Sequence, residues 1–184
     1  MRVAVMILSL GVLAGVSHQA RAEDCPAAPD IGARVAALLE KARGAQDAKS
    51  ARPITDALWA LWAKAPNEQA QAVLDSGMRR RAAFDLLGAI SEFDRLIAYC
   101  PTYAEGYNQR AFAHFIRQDY PAALSDLDRA LALSPQHVAA MAGRALTLMG
   151  LGQMREGQTA LRQALKVHPW LPERRMVTPP DIKL

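Results

Sequence analysis

Residues that favour sheet are scarce in this chain. Valine, isoleucine and threonine together number 21 of 184 residues, whereas alanine alone numbers 36. Alanine loses no side-chain entropy in a helix and β-branched residues lose χ1 freedom there, so the balance excludes a multi-strand sandwich and favours helices. Aromatic residues make up only 6%. Cysteine occurs twice, at Cys25 and Cys100, with no C-x-x-C. Also missing are G-x-S-x-G, H-E-x-x-H and any glycine-rich phosphate loop, which removes the commonest hydrolase, metalloprotease and nucleotide signatures. With 22% charged and 51% hydrophobic residues the chain is neither disordered nor collagen-like.

Only one long apolar run is present, and it stands at the start. Arg2 precedes Val3–Val16, and Ala20-Arg21-Ala22 forms an A-x-A site. The run is about 14 residues, short of the ~20 that span a bilayer as a helix, so a cleaved export signal is expected rather than an anchor. Cleavage would leave Glu23 first. Glu23 and Asp24 before Cys25 do not resemble a lipoprotein cleavage site. Arg2 and Arg21 leave with the signal and no acid does, so the formal charge falls from +4 to +2. That is weak support for nucleic acid or anionic membrane as a partner. Arginine outnumbers lysine 17 to 5, which together with the alanine content suggests a GC-rich bacterial genome. The expected location is periplasmic or secreted, with no membrane insertion after signal removal.

In an oxidising compartment Cys25 and Cys100 are candidates for a disulfide, worth roughly 4 kcal/mol in the chain-entropy picture. The alternatives are two free thiols or pairing between molecules.

The organisation is periodic. Pro101, Pro135 and Pro169 stand 34 residues apart. Each closes a similar phrase: Leu96-Ile97-Ala98-Tyr99-Cys100, Ala130-Leu131-Ala132-Leu133-Ser134 and Ala164-Leu165-Lys166-Val167-His168. Small residues recur in phase before each proline: Gly77, Ala111 and Ala145, then Ala89, Ala123 and Gly157. Phe93, Leu127 and Leu161 recur likewise. Two helices of about 13 residues fit such a unit: small residues let them approach, large ones fill the seam, and proline ends the second helix. One hairpin cannot bury its apolar face alone; stacked copies can.

These residues resemble the tetratricopeptide repeat, with Tyr107 and Tyr120 at its aromatic positions in the second unit. Leu96, Arg80 and His114 depart from its pattern, so the first unit is the loosest. The resemblance implies an all-α, short right-handed α-solenoid of stacked antiparallel helix hairpins. The chain then divides into a signal over 1–22, a leader and capping helix pair over 23–69, three repeats over 70–169 (about 70–103, 104–137 and 138–171) and a tail over 170–184. The capping pair is read as Ile31–Arg43, with Asp30 as N-cap, and Ile54–Ala65, joined by a polar connection over 44–53. Met176–Leu184 is expected to be frayed or extended.

The resemblance also implies that first helices line a concave groove. The strip it selects includes Leu74, Met78 and Arg81 in the first unit, Asn108, Phe112 and Phe115 in the second, and Leu146 and Met149 in the third, with Gln71, Glu105, Ala139 and Ala142 beside them. Its mostly apolar character suits a hydrophobic peptide or helix. The strip lacks the Lys/Asn/Arg set that some family members use to hold a terminal carboxylate, which disfavours chaperone tails. An alternative is that the protein's own N-terminal helices or C-terminal tail cover it.

No catalytic residue, metal site or cofactor is expected. His114 faces the seam; His137 and His168, beside the repeat prolines, are read as solvent-facing. Asp126 and Asp128 point about 200° apart on one helix and form no dyad. Arg79-Arg80-Arg81 reads as a solvated helix end, favourable to the helix dipole, or as a site for an acidic partner. The expected function is an exported adaptor that binds a protein or peptide, not nucleic acid. The alternative is a self-associating envelope component that buries Trp59, Trp62 and the groove in a homo-oligomer.

Overall fold

Side-chain acceptors start most of the helices. Asp47 accepts from the Ser50 amide (2.7 Å), Asn67 from Ala70 (2.9 Å), Asp85 from Gly88 (3.0 Å) and the His137 ring from Ala140 (3.3 Å). Each satisfies a donor that the first helical turn leaves open. The computed structural model describes residues 25–178, and the signal segment lies outside them. The described residues form eight helices and no strand: α1 Gly32–Gly44, α2 Ala48–Trp62, α3 Glu68–Ala82, α4 Leu86–Tyr99, α5 Ala104–Ile116, α6 Tyr120–Leu133, α7 Val138–Gly150 and α8 Met154–Val167. A 3-10 turn follows over Pro172–Met176. No helix among them is long and apolar enough to cross a membrane.

Helices α3 to α8 form three antiparallel hairpins, stacked through α4 on α5 and α6 on α7. The chain is a short all-α solenoid. Its small residues do what the spacing implied. A methyl group on Gly77 would collide with the Phe93 ring, and one on Gly157 would stand 2.8 Å from the Ala145 carbonyl oxygen. Ala89, Ala123, Ala130, Ala145 and Ala164 are fully buried. The turn inside each hairpin repeats too: Phe84, Gln118 and Gly152 take φ of 64°, 62° and 79°. Left-handed backbone costs a non-glycine residue about 1 kcal/mol, so the first two units bear a cost that the third avoids.

Ion pairs follow the same period. Asp94 binds Arg110 (2.7 Å) and Asp128 binds Arg144 (2.6 Å), each joining the second helix of one unit to the first of the next. Arg110 also grips Asp126 at 2.6 Å and 2.8 Å. That hydrogen bonding, with Asp94 adding to it, outweighs burial and pushes the Arg110 guanidinium above its ordinary range. Asp126 and Asp128 thus serve different arginines.

The N-terminal pair does not cap the array. Val35, Leu39, Leu58 and Trp62 of α1 and α2 pack with Val138, Ala142, Ala164 and Leu171, against the third unit rather than the first. The outer face of α3 explains the refusal. Glu68, Gln69 and Arg79 are exposed and polar there, and the exposed Ala72 between them offers only a methyl group, so a cap would bury almost nothing apolar. Instead the hairpin lies along the edge formed by the inter-unit loops. Cys25 is bonded to Cys100 at the end of α4 (Cα–Cα 5.2 Å), the Tyr103 hydroxyl donates to the Trp62 carbonyl (2.7 Å), and Thr55 meets His168 at 2.9 Å.

Local details shift accordingly. Helix α2 begins at Ala48, not Ile54, because Asp47 and Ser50 form a reciprocal capping box. Pro53 sits inside it, in the second turn. The α1 N-cap position is Ile31, although Asp30 accepts from the Gly32 amide (3.0 Å). Met176 and Thr178 are held on α8 by Gln158, at 2.8 Å and 2.9 Å. The rest of the tail lies outside the described residues.

Candidate functional site

The concave side of the array carries a groove of about 610 Å³. Helix α5 forms its floor through Asn108, Phe112 and Phe115. Helix α3 adds Met78 and Arg81, and α7 adds Ala139, Ala142 and Leu146. The opposite wall is α2, through Thr55, Trp59, Ala60 and Ala63, and Leu171–Glu173 closes one end. Helix α2 can stand there because it is apolar on two sides. Leu58 and Trp62 face the third unit, while Trp59 and Ala63 face the groove.

Six of the eight groove residues expected from sequence line this space: Met78, Arg81, Asn108, Phe112, Phe115 and Leu146. Two do not. Leu74 is fully buried with Phe93, Cys100 and Tyr103, under the segment that the disulfide ties down. Met149 turns to α8, where glycine at 157 leaves room for its side chain. The α2 wall and Leu171–Glu173 accord in part with the alternative that the protein's own N-terminal helices and C-terminal tail cover the strip: both line the groove, and Phe112 stays 48% exposed between them. What placed α2 there is its second apolar side, which requires a second surface to cover it.

At one end the groove becomes polar. Glu105, read from sequence as groove-facing, is only 1% exposed. Its carboxylate accepts from Asn108 (3.1 Å) and Gln109 and lies 2.8 Å from His137 Nε2. His137 Nδ1 accepts the Ala140 amide, so Nε2 carries the hydrogen and donates it to Glu105. His137 and His168 are both fully buried, contrary to the solvent-facing expectation, because the N-terminal hairpin covers the loops that hold them. His168 Nδ1 accepts from the Trp170 amide (3.2 Å) and Nε2 faces Thr55. Burial pulls its pKa below the ordinary histidine value. Tyr103 is held neutral: burial first, then the charges of Glu105 and Asp75, push its hydroxyl well above the usual range.

Arg81 is not a solvated helix end. Its guanidinium lies 4.4 Å from the Phe112 ring centroid and donates to Gln109. Burial lowers its pKa, and the charge of Glu105 offsets part of that. Arg80 does behave as a surface residue, pairing with Asp85 at 2.7 Å. The groove therefore offers large apolar faces, one partly desolvated cation and a polar end already saturated by its own hydrogen bonds. Such a surface can bind and orient a ligand. No three-residue cluster of His, Cys, Asp or Glu able to hold a metal occurs among the described residues.

A family model described as tetratricopeptide repeat matches residues 114–171, in the second and third units, where the small and large residues keep the repeat's phase most closely. A TPR repeat-containing protein of Rhizobium etli is 33% identical over 91 residues, covering 50% of this chain and 42% of that protein. A tetratricopeptide repeat protein 36 homolog of Nematostella vectensis is 40% identical over 66 residues, 36% of each chain. The chain thus spans less than half the length of these relatives. Among solved structures, the first TPR of Spaghetti (RPAP3), bound to an HSP90 peptide, is similar with a TM-score of 0.57 at 21% identity, over 60% of this chain and 88% of that one. MamA is similar with a TM-score of 0.51 at 18% identity, over 82% of this chain and 78% of its own. The chain is thus similar to tetratricopeptide repeat proteins, the family model matching within its second and third units, and α3 to α8 have the fold of tetratricopeptide repeat domains.

Proposed function

We propose that the chain is an exported, non-catalytic interaction module that binds a peptide or helix of a partner protein in its concave groove. Phe112 carries this reading. It is fixed on the central helix of the array, yet 48% of its surface is exposed at the groove wall, across from Trp59 at 41%. Aromatic side chains held rigidly at a concave surface are the usual anchors of binding interfaces. The groove volume of about 610 Å³ falls within the range of ligand sites.

Similar folds support the class of partner. Spaghetti (RPAP3) binds an HSP90 peptide and the TPR2B domain of yeast Sti1 an Hsp70 one. An acidic tail of that type suits this groove poorly, since Glu105 and Glu173 lie in its lining beside a single cation, Arg81. An apolar segment suits it better, with affinity drawn from buried area at about 25 cal/mol per Å² less the ordering costs. The self-associating alternative is weakened by Trp62, which is buried within its own chain. Export rests on Arg2, Val3–Val16 and Ala20-Arg21-Ala22. Mass spectrometry of the protein recovered from cells should read Glu23 first; recovery with intact Met1 would defeat it.

The binding test places a photoreactive residue at position 112 in living cells. The expected product is an adduct with another protein, whose cross-linked peptide then binds the purified chain and fails to bind the Phe112→Ala variant. Adducts confined to the chain itself would overturn the reading.

A further inference from the structure

The three hairpin turns form an internal control, because the same backbone is built three times with different residues. Phe84, Gln118 and Gly152 share the left-handed conformation. In each turn that residue's amide bonds the carbonyl three residues back (Arg81, Phe115 and Met149), and the next amide bonds the carbonyl five back (Arg80, His114 and Leu148). The turn therefore requires no aromatic side chain, and left-handed backbone disfavours one relative to glycine. The first unit nevertheless carries phenylalanine here, 74% exposed. Three residues on, Leu87 is 66% exposed, where the other units have Pro121 and Arg155. Neither side chain serves the turn or the core.

Stacking of the hairpins sets the three turns side by side along one edge, opposite the edge that the N-terminal hairpin covers. Arg79, Arg117 and Arg155 lie on this edge, exposed and in no ion pair among the described residues. Met154, at 39% exposure, adds an apolar tip on the third turn. The local acids are partly engaged: Asp85 holds Arg80 and the Gly88 amide, and Asp119 holds the Ala122 amide and faces His114. Of the acids in these turns, Glu156 is exposed without an ion pair among the described residues and Asp119 meets only the His114 ring, so three free arginines face two acids and positive charge is in surplus by one.

Two apolar side chains on a tight turn make a wedge, not a pocket. A wedge flanked by free arginines complements a surface that is anionic outside and apolar beneath. We infer that this edge is a peripheral membrane contact: Phe84 and Leu87 enter the interface of an anionic bilayer while Arg79, Arg117 and Arg155 meet its phosphates. The groove faces elsewhere and stays open, so the inference does not depend on the peptide-binding reading.

The test is co-sedimentation with vesicles of phosphatidylglycerol and phosphatidylethanolamine, against vesicles of phosphatidylcholine alone. The protein used has its N-terminus read by mass spectrometry as downstream of Val3–Val16, so that the apolar run cannot bind by itself. Binding to the anionic vesicles is expected, weakened by high salt, and weakened about tenfold by Phe84→Gln, the scale of one buried aromatic side chain. Gln118 already occupies the same backbone, so the helical circular dichroism and melting temperature of that variant should hold. If they do not, Phe84→Gly takes its place. Absence of binding to anionic vesicles, or unaltered binding by the variant, overturns the inference. So does a variant that changes only the state of association, which would assign the wedge to a protein surface.

Discussion

The Trp62 indole lies flat on the His137 ring, with centroids 4.2 Å apart and planes inclined by 14°. Trp62 ends α2 and His137 begins α7, so this stack joins the N-terminal hairpin to the third repeat unit. It also covers the buried Glu105 carboxylate that His137 holds. Trp62→Ala should therefore cost about 3–5 kcal/mol, the range for truncating a buried aromatic. Urea unfolding measures it; a loss below about 1 kcal/mol would show that the hairpin is held by other contacts.

A disulfide ties down the segment that leads into that hairpin. Cys25 and Cys100 are 75 residues apart in sequence. Constraining the unfolded chain over such a loop is worth roughly 4 kcal/mol. Reduction, or Cys25→Ser with Cys100→Ser, should lower the melting temperature by many degrees. Equal melting with and without reductant would show that the bond carries no stability.

Burial depresses the His168 pKa in the folded state, which makes stability depend on pH. The unfolded chain takes up the proton near pH 6.5 and the folded chain only at lower pH. Above that value the contribution is complete; it is lost as pH falls toward and through the folded pKa. The urea midpoint of the parent should fall more steeply below pH 6.5 than that of His168→Gln, whose amide can still face Thr55. Parallel curves for the two proteins would remove His168 from the acid response.

The repeat was legible because its period is a packing requirement. Gly77 must be small under Phe93, and Gly157 under Met149, so any stack of such hairpins displays the same residues every 34 positions. The docking of the N-terminal hairpin was not legible, because its contacts are far apart in sequence: Arg43 with the Val167 carbonyl, Thr55 with His168, Tyr103 with Trp62. Periodicity carries no information about them. The same blindness placed His137 and His168 in solvent and Leu74 in the groove. Phe112, Phe115 and Met78 do line the groove, since their positions follow from the repeat phase alone.

The seam itself can be tested by overpacking. Ala123 and Ala145 are fully buried between helices, whereas Gln153 is exposed at the start of α8. Ala145→Leu and Ala123→Leu should each cost about 1–3 kcal/mol, typical of added bulk in a packed core, and Gln153→Leu about 0.5 kcal/mol or less. Equal melting temperatures for the three variants would contradict the register.

Partner binding should depend on Phe112 and Arg81 together, and not on Arg79. The Arg81 guanidinium sits over the Phe112 ring and is anchored by Gln109, so the two side chains present one surface. Phe112 is 48% exposed and leaves little core behind when truncated, whereas Phe115 packs edge-on against Tyr120 with centroids 5.5 Å apart. Phe112→Ala is thus the cleaner variant: it should remove capture of a peptide partner, at a cost of about 2 kcal/mol or more in binding for a central anchor, while leaving helical circular dichroism and melting nearly unchanged. Arg81→Gln should also weaken capture, because it withdraws the cation from the ring and leaves Gln109 without its donor. Arg79→Gln, exposed and outside the groove, should leave capture unaltered. Binding titrations of the three variants with the cross-linked peptide decide the matter. Normal binding by Phe112→Ala would move the partner site off the groove, and equal losses for Arg79→Gln and Arg81→Gln would show that general positive charge, rather than the Arg81–Phe112 pair, is what the partner reads.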